Sequence, residues 1–225
     1  MSNGARAYIG SVIAIGSAIL IGCVALDPSF PNTARFLQFL VLAILASTFK
    51  IRLPGIEGTL SLNFVIYLLA VSAMSLTETV VMATIATVAQ ALWRPKKKPQ
   101  TLKVMFNVTS VVISVAGAFF AASQMQRPET QVPALVVGAT VLFALNSWLM
   151  SLVMALTSGQ SALTIWRQCN QWMFLYYLMG AGLSSLVIGY AHVVGWSQSL
   201  AMLPMAYLMY SYSDGCIART REVHG

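Results

Sequence analysis

The sequence predicts an all-α fold, a polytopic transmembrane helix bundle of about eight spans, or six plus a re-entrant pair, with both termini cytoplasmic. Three observations carry this. Of 225 residues, 58% are hydrophobic and 8% charged, with a mean hydropathy of +0.76, too little charge to cover a soluble globule of this size. Apolar runs of span length recur from residue 7 to residue 213, separated by short polar breaks. Runs such as 8–25 are apolar on every face, whereas a barrel strand alternates over about ten residues, and a lipid-exposed backbone must satisfy its own hydrogen bonds. One membrane domain, 1–213, and a short cytoplasmic tail, 214–225, are expected.

The first span is read at 7–26, about 30 Å of helix, matching a hydrocarbon core. Gly10, Ala14, Ala18 and Gly22 recur in it every four residues, a helix-packing stripe that admits a close neighbour, within the chain or in a partner subunit. A Pro-containing loop, 27–32, leads to a second, shorter span at 35–49. The stretch Lys50-Ile51-Arg52-Leu53-Pro54-Gly55 then reads as a membrane re-entry turn. Lys50 and Arg52 can snorkel to phosphates, Pro54 lacks a backbone donor, and Thr59 or Ser61 can cap the next span at 59–75.

A polar turn at 75–79 holds Glu78, and the fourth span, 80–93, ends at the interfacial Trp93. Arg94, Lys96, Lys97, Lys98 and Lys103 follow, with Pro95 and Pro99 breaking any helix. The fifth span is expected at 102–123 and the sixth at 132–156. The mixed stretch 158–171, with Leu163, Ile165 and Trp166 beside Arg167, suits a turn lying along the headgroups. The seventh and eighth spans are placed at 172–194 and 200–212. An amino terminus inside puts eleven of the thirteen cations in cytoplasmic loops and leaves only Arg35 and Arg127 outside, the asymmetry of the positive-inside rule. The net charge of +7 therefore reflects topology, and nucleic acid is not an expected partner. Three cysteines make no disulfide framework and are expected as free thiols.

Polar side chains inside apolar spans need partners and are where function is sought first. Asn63, Gln90 and Asn107 fall at one depth within about 3 Å by helical rise. They either bond one another and fix the bundle, or converge on a ligand; Asn146, at a different depth, is a looser member. Catalysis is not expected: His192 and His224 have no carboxylate or cysteine at ligand spacing, and no carboxylate dyad, phosphate loop or nucleophile elbow is present. No metal or cofactor is expected.

The words Leu53-Pro54-Gly55-Ile56-Glu57-Gly58-Thr59-Leu60-Ser61-Leu62-Asn63-Phe64, Gln90-Ala91-Leu92-Trp93-Arg94 and Phe106-Asn107-Val108 resemble the amino-terminal multi-span membrane module of many bacterial signalling proteins. The ending Leu203-Pro204-Met205-Ala206-Tyr207-Leu208-Met209-Tyr210, with its basic tail, is similar to the exit helix of such modules. In that family the module precedes a diguanylate cyclase, an HD-type phosphohydrolase or a histidine kinase, and the resemblance implies sensing in the bacterial inner membrane. This sequence departs from the pattern by stopping about a dozen residues after its last apolar run, as expected of either a free-standing relative that acts through a partner or the isolated module of a longer protein. A second resemblance, architectural only, is to the substrate-binding membrane component of energy-coupling-factor vitamin transporters, where a small-residue stripe on the first span contacts the coupling subunit. The expected partners are accordingly the lipid bilayer, a cytoplasmic signalling protein or transporter subunit, and a second copy of the chain.

Overall fold

The structure is a computed structural model and describes residues 3–48, 50–52, 59–61, 63–93, 100–125, 131–170 and 173–200, with backbone only at 50–52, 59–61 and 168–170. Among these residues the chain forms helices α1 (Asn3–Leu26), α2 (Thr33–Thr48), α3 (Asn63–Ala73), α4 (Leu76–Leu92), α5 (Thr101–Ser123), α6 (Gln131–Ser158), α7 (Ala162–Asn170) and α8 (Met173–Val194), plus two short strands, β1 (Lys50–Arg52) and β2 (Thr59–Ser61). Four helices, α1, α5, α6 and α8, are long and apolar enough to cross a membrane, while α2, α3 and α4 are apolar but shorter. With 11 residues, α3 extends only ~16 Å, about half of a hydrocarbon core of ~30 Å.

The backbone divides into two compact units, Met1–Ser185 and Leu186–Gly225. The second is described as far as residue 200 and contains the end of α8, Gly195 at a φ of +94° and a helical turn at 196–200. The eighth expected span lies outside the described residues. Everything below concerns the first unit.

Within it, α5 packs against α1, α3, α4 and α6, and α2 packs against α3 and α4. The centre is α3, in which every residue from Asn63 to Val71 is buried. Its sequence explains this: Phe64 to Val71 is apolar except for Tyr67, so no face of the helix is fit for water. Hydroxyls in the spans satisfy themselves on the preceding turn, as Thr84 does on Val80 O, Thr87 on Ala83 O and Ser114 on Ser110 O, which is how such side chains survive without water.

Four sequence expectations change. The third span does not begin at Thr59: Lys50↔Ser61, Ile51↔Leu60 and Arg52↔Thr59 pair antiparallel, so Thr59 and Ser61 extend a hairpin instead of capping a helix, and Asn63 opens α3. Residues 53–58 lie outside the described residues. Glu78 does not sit in an outer turn but in the first turn of α4, where Ser75 and Glu78 form a capping box. Lys103 lies in the first turn of α5 and is exposed. The 158–171 stretch contains a helix, α7, with Leu163 and Arg167 on its exposed side and Ile165 buried, as an element that rests at an interface requires.

The small-residue stripe of α1 also faces elsewhere than into the fold. Gly10, Ala14 and Ala18 are exposed, and side-chain carbons added at Gly10 or Gly22 would meet nothing within 4 Å. The inward face is Ala5, Ile9, Val12 and Gly16, and a Cβ at Gly16 would lie 2.7 Å from the carbonyl oxygen of Thr109. One glycine, not four small residues, sets the α1–α5 approach. Spacing revealed a stripe; which stripe turns inward is decided by Ile9 and Val12, which pack with Phe106 of α5.

Candidate functional site

The two ends of α3 carry the polar groups of the bundle. At its first residue, the Asn63 amide nitrogen donates to Ser47 Oγ of α2 at 2.8 Å and approaches Gln90 Oε1 of α4 at 3.4 Å. Ser47 in turn donates toward Ala43 O of its own helix and Ala86 O of α4, at 2.7 and 2.9 Å. One turn further along α3, the Tyr67 hydroxyl pairs with Thr87 Oγ1 at 3.3 Å and also bonds the Asn63 side chain. Asn63 is 3% and Ser47 0% exposed, so these bonds form away from water and hold α2, α3 and α4 in one register.

A second set lies beside this layer. Tyr177 of α8 stacks on Phe64 with ring centroids 4.6 Å apart, packs edge-on against Phe143 of α6 at 5.3 Å and has Asn146 near its hydroxyl. Phe64 itself closes against Gly180, where any Cβ would collide with the ring. On the same stretch of α6, Ser147 accepts from Trp166 Nε1 of α7 at 2.9 Å, and Trp148 stacks on Trp166 at 5.7 Å and 13°. Residues 146–148 therefore tie α8 on one side and α7 on the other.

At the far end of α3 the arrangement is open. Arg35 of α2 donates from Nη1 to Ala73 O at 3.0 Å, a cation on the orphan carbonyls of a helix C-terminus. Ser75 Oγ accepts from Glu78 N at 3.2 Å and Glu78 Oε2 accepts from Ser75 N at 3.0 Å, the reciprocal capping box that starts α4. Thr77 Oγ1 reaches Cys23 O of α1 at 3.1 Å and Thr79 Oγ1 reaches Ala70 O at 3.3 Å. Between these groups a cleft of about 290 Å³ is bounded by Arg35, Glu78, Ser72, Val71 and Met74, with Phe119 of α5 as a further wall.

The structure thus joins two of the three amides picked from sequence, Asn63 and Gln90. Asn107 lies half-buried on α5, and no hydrogen bond described joins it to them. Asn146 lies near the Tyr177 hydroxyl, and no hydrogen bond described joins it to the amides. Trp93 is the C-cap of α4, 47% exposed, a suitable place for an interfacial ring. The side chains of Lys50 and Arg52, and all of Arg94, Lys96, Lys97 and Lys98, lie outside the described residues. Sequence reading missed Ser47, Tyr67, Thr87 and Tyr177, although Tyr67 stands four residues after Asn63 and Thr87 three before Gln90, the spacings that share a helix face. It also missed Arg35 and Glu78 as a pair, since they are 43 positions apart. Among the described residues no three His, Cys, Asp or Glu side chains group to hold a metal, and Cys23 is a free thiol.

A half-length helix enclosed by longer apolar ones, tied at both ends by polar groups, is suited to a membrane-embedded module. The model of the MASE9 family matches residues 26–212. The chain belongs to the MASE9 family. MASE domains are membrane-associated sensor modules, so the chain is a membrane protein of that sensor class. No curated protein matches the chain, and no solved structure does.

Proposed function

We propose that this MASE9 chain is a non-catalytic, multi-pass sensing module of the bacterial inner membrane. It detects a small or lipophilic ligand, or the state of the membrane, and acts through a cytoplasmic output. The observation that carries this reading is the double tether of α3: Asn63 links its start to α2 and α4, while Arg35 of α2 holds its last carbonyl. A helix buried along Asn63–Val71 and held at both ends cannot move unless its neighbours do. A stimulus that prefers one arrangement of α2, α3 and α4 therefore shifts the whole set, by no more than its differential affinity, typically about 1 to 3 kcal/mol.

The output is a signalling enzyme of the diguanylate cyclase, HD phosphohydrolase or histidine kinase kind, either joined to the module or recruited by it. A second reading keeps the transporter alternative, because the exposed Gly10, Ala14 and Ala18 face of α1 is free of contacts with the described chain and matches the surface by which such subunits dock. Purification from native membranes in mild detergent separates the two. Recovery of a cyclase, phosphohydrolase or kinase whose product level changes in an Asn63→Leu strain supports signalling. Recovery of an ATPase with its coupling subunit, lost on Ala14→Leu, overturns it in favour of transport.

A further inference from the structure

We infer that the cleft at the end of α3 is the ligand site of the module and that its ligand class is a small zwitterion, an ammonium and a carboxylate on one compact skeleton of amino-acid size. The inference rests on the sensor reading and adds where the stimulus binds and what it is.

Charge chemistry selects the class. Glu78 is 4% exposed, and burial of a carboxylate is costly unless a positive group answers it. Its place in the first turn of α4 favours the charge, and the same carboxylate borders the cleft. Arg35, on the same cleft, is the cation of α2, and its planar guanidinium with five N–H donors suits a carboxylate. One cation on α2 and one buried carboxylate on α4, both lining the cleft, match the two ends of a zwitterion, whereas a plain anion meets Glu78 and a plain cation meets Arg35. Val71, Met74 and Phe119 supply an apolar wall for the remainder of the molecule.

Size points the same way. At about 290 Å³ the cleft lies at the bottom of the range for drug-sized ligands, about 300 to 1,000 Å³, and suits something smaller. Its walls come from α2, α3, α4 and α5, so one bound molecule touches four helices at once, including both ends of the Arg35 tether. Val71 and Phe119 also pack with Ala122 of α5 and Ala134 of α6, which extends the contact to a fifth helix.

The test uses the full chain in lipid nanodiscs. Each of the twenty common L-amino acids is titrated singly, with sodium acetate and methylammonium chloride as the two half-ligands, and binding is read by equilibrium dialysis and by the thermal midpoint. At least one amino acid is expected to bind saturably, at least tenfold more tightly than either half-ligand. Glu78→Gln, which keeps the cap, is expected to weaken that amino acid by at least tenfold while leaving the weak acetate response in place. Phe119→Trp, which narrows the apolar wall without touching a charge, is expected to shift preference toward smaller side chains, and it serves alone if Glu78→Gln does not assemble. Absence of saturable binding by every amino acid, acetate binding as tight as the best amino acid, or affinity unchanged in both variants overturns the proposal. Binding without any change in the output enzyme leaves the site standing and removes the sensor reading. An output that responds to other stimuli while no amino acid binds does the reverse.

Discussion

The two ends of α3 are built from similar side chains and do opposite things. At Asn63, the amide, hydroxyl and phenol groups of α2, α3 and α4 bond one another in a dry layer. At Ala73 the polar groups cap helix termini and border a cleft. Chain geometry accounts for the difference. The Asn63 end lies against the last turns of α2 and α4, where Ser47 and Gln90 stand, and there the side chains bond one another across three helices. The Ala73 end is where α3 stops and α4 starts, so orphan carbonyls and amides must be capped, and the capping groups border a cleft. A closed polar layer sets an arrangement, while an open one can be changed by what enters it.

The largest effect expected from disturbing the closed end is at Gly180. Leucine there has to displace the Phe64 ring that neighbours Asn63, and overpacking of this kind costs about 1 to 3 kcal/mol; a value near the upper figure is expected because the ring is also stacked on Tyr177. Gly182→Leu, two residues on and with nothing within 4 Å, is the control and is expected to change stability by less than about 0.5 kcal/mol. Unfolding by titration with sodium dodecyl sulfate in mixed micelles measures both. Equal losses at the two glycines would mean that the α3–α8 contact does not hold the layer.

Next in size is Asn63→Leu, which removes the donor shared by Ser47 and Gln90. Hydrogen bonds between membrane helices average about 0.6 kcal/mol with a maximum near 1.7, so a loss of about 1 to 2 kcal/mol is expected. A double-mutant cycle with Ser47→Ala should return a coupling of about 0.6 kcal/mol or more. Additivity of the two changes would show that the layer is a set of separate bonds rather than one clamp.

How much of this was readable beforehand differs between the two ends for a physical reason. The long spans α1, α5, α6 and α8 fall within a few residues of their expected limits, because a helix that is apolar all round announces itself by length alone. The hairpin at Lys50–Arg52 and Thr59–Ser61 was not readable, since three-residue strands beside Pro54-Gly55 carry no periodicity. Asn63 and Gln90 were picked because an amide in an apolar run is conspicuous, and depth then placed them together; depth also suggested Asn107, but it says nothing about azimuth, which keeps that residue apart. At the open end, Ser75-Leu76-Thr77-Glu78 has the spacing of a capping box, but as a short polar break between two apolar runs it reads equally as a turn. The cleft itself depends on how four helices diverge, which no local pattern encodes.

The open end is expected to tolerate loss of charge better than loss of shape. Glu78→Ala removes the acceptor for Ser75 N and should cost about 1 kcal/mol, as the loss of a helix cap generally does. Glu78→Gln keeps an acceptor in place and should cost about 0.5 kcal/mol or less. If glutamine proved as harmful as alanine, the carboxylate would be holding the fold together through its charge, and the contrast between the closed layer and the proposed ligand cleft would lose its basis. Sidedness of that contrast is checked on a cysteine-free background, where Ser29→Cys is expected to react with an impermeant maleimide in intact cells and Lys103→Cys is not.

The smallest effect is expected from the basic segment that follows α4 in the sequence. Lys96, Lys97 and Lys98 follow Trp93, the C-cap of α4, and so come soon after Gln90 in the polar layer. Near an anionic leaflet each such cation is worth about 1 kcal/mol of attraction to the surface, but this attraction acts on the loop and not on the bonds of Asn63. Replacing all three with glutamine, with Arg94 and Lys103 retained, should therefore leave topology intact and change stability in neutral lipid by no more than about 0.5 kcal/mol. In bilayers rich in anionic lipid the unaltered chain is expected to gain stability with rising lipid charge, and the triple variant to show a visibly flatter dependence. If both gain equally, the lysines act only when the chain inserts, and the closed layer is insulated from the surface beside it. If the variant alone is indifferent to lipid charge, the inner end of the bundle feels the membrane through this loop while the outer end faces its cleft, and the two ends of α3 report different things to one helix.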